Sequence, residues 1–177
     1  MTDPKVKLIR LLRAAHAGER AAALAYVGHA RSVRDPGERE AISRIGAEEV
    51  AHRARVGEML AELGGAPSAL REVIFTCIGR TLSFFCHVTG WYCPMYGAGW
   101  IERRNIQEYV DAAAFATQAG RADLAAELLT MAEVEWDHEH WFRTQVLGHW
   151  MRRLLPVWQA PPPRDQLANP PLLPTRS

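Results

Sequence analysis

Residues 42–63 read ISRIGAEEVAHRARVGEMLAEL. The apolar residues Ile42, Ile45, Val56, Met59 and Leu63 recur in steps of three and four, the spacing of one helix face. Positions 49 and 52 belong to the same stripe, and they are Glu49 and His52. Residues 124–142, LAAELLTMAEVEWDHEHWF, repeat the pattern: Leu124, Leu128, Met131 and Phe142 share a face that is broken only by Glu135 and His138. A Glu and a His three apart lie about one turn from each other on one face, so each pair can aim at a single point.

Two intervening segments each add one inward acid. Glu19 falls between Ala15 and Ala22, and Glu102 heads the series Ile106, Tyr109, Ala113, Ala116. The order Glu, Glu-x-x-His, Glu, Glu-x-x-His over four helical segments is that of a carboxylate-bridged two-metal site in an all-α four-helix bundle. A buried carboxylate must be paired, neutralised or bound to metal. Lys and Arg are missing from these inward positions, so two divalent cations are the simplest counter-charge for four acids. Carboxylate and imidazole suit iron or manganese, and no thiolate joins the set. Each ligating His needs an acceptor for its second nitrogen, for which Glu48, Asp111 and Asp137 are available.

The rest of the chain sets bounds. Its 177 residues fit one domain, and a net charge of +1 argues against a nucleic-acid partner. Cys77, Cys86 and Cys93 lack Cys-x-x-Cys spacing and are odd in number; they are expected to be small buried groups in a reducing, cytoplasmic setting. Met1 to Arg13 shows no signal-peptide apolar run. No Gly-x-Gly-x-x-Gly fingerprint is present, so a nicotinamide would not be bound by such a motif here.

The periodicity predicts helices over 4–34, 38–63, 98–119 and 121–155, with Asp35-Pro36-Gly37 as the first break. Residues 70–101 are predicted to be a long, irregular apolar crossover between the second and third helices. Arg80, His87, Pro94 and four glycines make this stretch a poor transmembrane helix. Trp91, Tyr92, Tyr96 and Trp100 have the amphipathic character favoured at a membrane interface, or else plug the bundle end. The bundle is expected over 1–159, and 160–177, with Pro161-Pro162-Pro163, is expected to be an extended or disordered tail. Glu108 lies about 120° round the helix from Glu102, outside the ligand face. His16 reads as a plain helix residue, His149 as a capping or packing residue, and His87 as a core or interfacial histidine.

At this point the chain resembles a family, the demethoxyubiquinone hydroxylases. His16-Ala17-Gly18-Glu19 is similar to the family's His-Ala-Gly-Glu; Glu49 and His52, Ile101-Glu102 with Tyr109, and Glu135-Trp136-Asp137-His138 follow in the family's order. The family has His directly before the third-helix Tyr, where this chain has Glu108. The resemblance implies a ferritin-like fold and a di-iron monooxygenase of ubiquinone biosynthesis. Glu19, Glu49, His52, Glu102, Glu135 and His138 would hold two irons (or manganese), with Tyr109 and Glu108 beside them. The implied substrates are O2 and a prenylated methoxy-quinol, or a related quinone or phenol. An external nicotinamide or the quinol itself would be the reductant. A peripheral position on the inner face of the cell membrane follows, with a homo-oligomer or other quinone-biosynthesis proteins as partners. The competing readings are a ferritin-like iron-handling or peroxide-consuming protein, a tRNA-modifying di-iron hydroxylase, and a metal-free interaction bundle.

Overall fold

The computed structural model describes residues 3–167, and among these it is all-helical. The helices are α1 (Pro4–Ser32), α2 (Pro36–Glu62), α3 (Ala69–Val88), α4 (Tyr92–Gln118) and α5 (Ala122–Gly148). Asp3 and Asp35 cap α1 and α2 by accepting from the backbone N–H of Lys5 and Glu38, and each is followed by a proline at the first helical position. Gly64, Gly90 and Gly120 end α2, α3 and α4 with positive φ, the conformation that favours glycine.

Helices α1, α2, α4 and α5 form the four-helix bundle. α1 pairs with α2 and α4 with α5, and the two hairpins meet through α1 against α4 and α2 against α5. The core has two apolar clusters. One gathers Leu8, Leu12, Val56, Met59, Ile106 and Leu128; the other gathers Tyr26, Ile42, Ile45, Tyr92, Met95 and Phe142. The buried acids and histidines of the stripes sit on these same faces.

The crossover differs from the sequence expectation. It is a regular helix, α3, laid along α1, and the next helix starts at Tyr92 rather than at Ala98. Gly79 does not loosen it; together with Gly28 of α1 it lets the two backbones approach. A Cβ on Gly79 would lie 2.6 Å from the Ala21 carbonyl oxygen, and one on Gly28 would lie 2.7 Å from Ser83 Cα. The cysteines are not buried: Cys77 and Cys93 are exposed and Cys86 is partly so. His87 is exposed as well. Of the four aromatics, Tyr92 is buried, Trp91 donates to Glu38 at 2.8 Å, and Tyr96 meets Trp158 edge-on; only Trp100 is exposed.

The last helix stops at Gly148, and a 3-10 turn over Trp150–Arg153 replaces its expected end. His149 caps that turn and stacks on Trp91, as a capping and packing residue should. The proline-rich stretch is extended, but up to Leu167 it is bound to the bundle. Trp158 donates to Glu139 at 2.6 Å, Trp136 donates to the Pro162 carbonyl at 2.9 Å, Arg164 pairs with Asp137, and Leu167 is buried. The rest of the expected tail, 168–177, lies outside the described residues.

Gly79→Ala should therefore destabilise the protein by about 1–3 kcal/mol, because the added methyl meets backbone that cannot swing away. Gly97→Ala, in open space inside α4, should stabilise it by about 0.5–1 kcal/mol. Thermal unfolding of the two variants checks both signs.

Candidate metal centre

All six residues singled out on the stripes are buried and meet at the bundle centre. Glu49, Glu102 and Glu135 are 0% exposed, and Glu19, His52 and His138 are nearly so. One donor atom each from Glu19, Glu49, His52 and Glu135 lie within 4.8 Å of one another. So do donor atoms from Glu49, Glu102, Glu135 and His138. The two sets share Glu49 and Glu135, so these two acids would serve both cation positions.

The donor set fits cations. Both oxygens of Glu49, Oε2 of Glu19 and Nδ1 of His138 are buried without a hydrogen-bond partner, although buried polar atoms are normally satisfied. His138 Nε2 is held by Glu48 at 2.6 Å, which fixes the ring and leaves Nδ1 facing Glu49 at 3.1 Å. Glu48 thus takes the acceptor role, while Asp111 accepts from Gln107 and Asp137 pairs with Arg164. His52 Nδ1 meets Glu135 at 2.9 Å.

Two tyrosines brace the acids reciprocally. Tyr109 on α4 donates to Glu19 on α1, and Tyr26 on α1 donates to Glu102 on α4. Tyr109 was legible in the sequence and Tyr26 was missed. Its signal was present: Tyr26 stands seven residues after Glu19, as Tyr109 stands seven after Glu102, and that spacing keeps both on one helix face. Asn105, also missed, donates to Glu102 at 2.9 Å from one turn along α4. Glu108 is held away from the cluster by Arg104 at 3.6 Å, as its helix phase requires. His16 pairs with Glu72 of α3 at 2.7 Å and serves the α1–α3 contact.

Burial raises the pKa of Glu49 and Glu102 well above the carboxylate range, and the charge of Glu135 pushes both further. Burial also raises Glu19, against the lowering effect of the neighbouring Glu49 and His52. Burial acts on Glu135 too, but the neighbouring His138 and His52 outweigh it and hold that acid low. Burial depresses the two histidines, yet their contacts with Glu135 leave both raised.

A cavity of about 530 Å³, the size of a small-molecule site, opens beside the cluster between α1, α3 and α4. Glu19, Tyr26, Asn105 and Tyr109 form its polar inner wall. Phe75, Ile78, Leu82 and Phe85 of α3 form its apolar side.

Residues 6–111 match the family model described as ubiquinone biosynthesis protein COQ7. The chain belongs to this family. The COQ7 match contains Glu19, Glu49, His52, Glu102 and Tyr109 and stops before Glu135 and His138. The chain is 42% identical over 66 residues to the 3-demethoxyubiquinol 3-hydroxylase of Bordetella parapertussis, covering 37% of this chain and 30% of that one. It is 39% identical over 72 residues to the protein of the same name from Chromobacterium violaceum, covering 41% and 35%. For Laribacter hongkongensis the values are 43% over 63 residues, covering 36% and 31%. The aligned stretches thus span about a third of the length of these curated relatives. No solved structure matches the chain.

The metal-free protein should lose stability as pH rises. An acid whose folded pKa is raised favours the folded state below its unfolded value near 4.5, and that advantage is lost as pH climbs toward the folded value. The two raised histidines act in the same direction above their ordinary 6.5; Glu135, held low, opposes at acid pH, and His29, pushed down to about 4, opposes up to 6.5. The melting temperature of chelator-treated protein should fall as pH rises from 6.5 to about 8.5, while metal-loaded protein should be flat or rise. A metal-free protein that gains stability over that range would contradict the electrostatic picture of the centre.

Proposed function

We propose that this protein is a di-iron monooxygenase that hydroxylates the ring of a prenylated methoxy-quinol, as 3-demethoxyubiquinol or a close relative. The observation that carries the reading is the apolar cavity opening directly onto the buried acid–histidine cluster. Glu19, Glu49, His52, Glu102, Glu135 and His138 would hold the two metal ions, with Glu49 and Glu135 shared. Iron fits the carboxylate–imidazole set, and manganese fits it chemically too. The bound pair would supply reductive oxygen activation, so that one atom of O2 enters a ring C–H as a hydroxyl and the other leaves as water, the electrons coming from an external nicotinamide or from a quinol.

The protein side of the chemistry is positioning and exclusion. Tyr109 donates to one oxygen of Glu19 and leaves the other free for a cation, while Tyr26 and Asn105 brace the two oxygens of Glu102. Glu48 holds the far nitrogen of His138 and keeps Nδ1 on the interior side. The apolar wall from α3 keeps water from the ring, and Glu108 with Arg104 lies on the wall from α4.

α3 also supports a membrane-bound substrate. Leu70, Val73, Ile74, Phe84 and Val88 expose a continuous apolar face, and Ile78, Leu82 and Phe85 are both exposed and part of the cavity wall. A face of this kind suits the bilayer interface, and a cavity opening through it lets a prenyl tail enter sideways. Among the described residues no helix is long and apolar enough to cross a membrane. A peripheral position on the inner face of the cell membrane agrees with both observations. An iron-storage role has no use for this apolar opening.

Deletion of the gene followed by quinone profiling tests the reading. A demethoxy precursor should accumulate, and complementation with Glu135→Ala should fail with turnover lost at least a hundredfold. Purified Glu135→Ala should have lost its metal, whereas Glu108→Gln should keep metal content near the native level. An unchanged quinone pool would refute the substrate assignment, and equal metal loss in both variants would refute the ligand assignment.

A further inference from the structure

Along α1 the cavity wall is a stripe of small residues, Gly18, Ala22 and Ala25, on one helix face. The stripe ends at His29, the next residue of the same face and also part of the wall. His29 is 2% exposed, and its Nε2 has no hydrogen-bond partner. The ring stacks on Tyr26 and Phe142, with centroids 6.3 and 5.8 Å away, so its plane is set. Burial pushes its pKa down to about 4. A neutral imidazole carries one donor and one acceptor.

Apart from Glu19, which belongs to the acid–histidine cluster, the other hydrogen-bonding side chains of the wall have partners. Tyr26 and Tyr109 donate to carboxylates, Asn105 donates to Glu102, Arg104 pairs with Glu108, and the Thr89 hydroxyl donates to the Phe85 carbonyl. A buried nitrogen left open beside a ligand-sized cavity is a place for a ligand to bond.

We propose that His29 is the hydrogen-bonding anchor for a ring oxygen of the substrate, a quinol hydroxyl or a quinone carbonyl. This rests on the ring-hydroxylase reading above. His29 lies one turn from Tyr26, whose hydroxyl holds Glu102, so an oxygen bonded there keeps the ring in the inner part of the cavity. A neutral imidazole can donate to a carbonyl or accept from a hydroxyl and so serves both redox states of the ring. The small residues before it leave the width that a flat ring needs.

The test uses the full-length, metal-loaded protein and two probes. One is demethoxyubiquinone with a two-isoprene tail; the other is a benzene with the same tail and no ring oxygens. Dissociation constants are measured by quenching of tryptophan fluorescence. His29→Leu should weaken quinone binding about tenfold, His29→Gln should stay within about threefold of wild type, and the oxygen-free probe should not distinguish the three proteins. Metal content and melting temperature of the Gln variant should match wild type. If wild type binds the quinone and His29→Leu binds it equally well, the anchor assignment is wrong while the substrate reading stands. Equal weakening for both probes would make His29 a packing residue and overturn the proposal. If wild type binds neither probe, the ring-substrate reading itself fails and takes the anchor with it.

Discussion

Four carboxylates and two imidazoles taken out of water at the centre of a helical bundle are the constraint on which the rest of this structure depends. Apolar burial alone cannot hold such a cluster together, because each acid loses hydration and repels the others. The fold answers with a two-fold scheme. Glu19 and Glu102, each with a tyrosine seven residues on, brace one another across α1 and α4. The two Glu-x-x-His turns of α2 and α5 face them, tied by the contact of His52 with Glu135 and of His138 with Glu49. What stays unsatisfied is concentrated on Glu19, Glu49 and His138, where cations would sit.

The bundle and its centre were legible because helical period and ligand identity coincide. Every break in the apolar stripes of 42–63 and 124–142 is a potential metal ligand, so one pattern located both the helices and the site. Glu48 was among the acceptors that the pattern left open, and only the packing of α2 against α5 selects it. Tyr26 was overlooked although its spacing repeats that of Tyr109. His29 carries no sequence signal, since its meaning lies in the stripe of small residues before it and in a cavity that three helices build together.

The crossover and the tail were misjudged for a shared reason: composition describes a segment by itself, and both are shaped by what they touch. In residues 69–88, glycine suggested looseness, yet Gly79 is where α3 crosses α1 at backbone distance. The aromatics that suggested a lipid surface mostly close the bundle end, and the aliphatic and phenylalanine residues of α3 form the exposed face instead. In the tail, prolines removed backbone donors, but side-chain donors on α5, Trp136 and Arg143, take the carbonyls of Pro162 and Trp158. Such pairings join residues distant in sequence and leave no local periodicity. α3 thus carries two duties, walling the cavity and presenting an apolar surface.

Occupation of the cluster by cations is measured most directly by anomalous diffraction at the iron edge. Crystals of protein expressed aerobically in iron-rich medium should show two anomalous peaks in the bundle centre, both touching Glu49 and Glu135, one beside His52 and the other beside His138. A centre without anomalous signal, in crystals whose six side chains keep the positions described above, would contradict it.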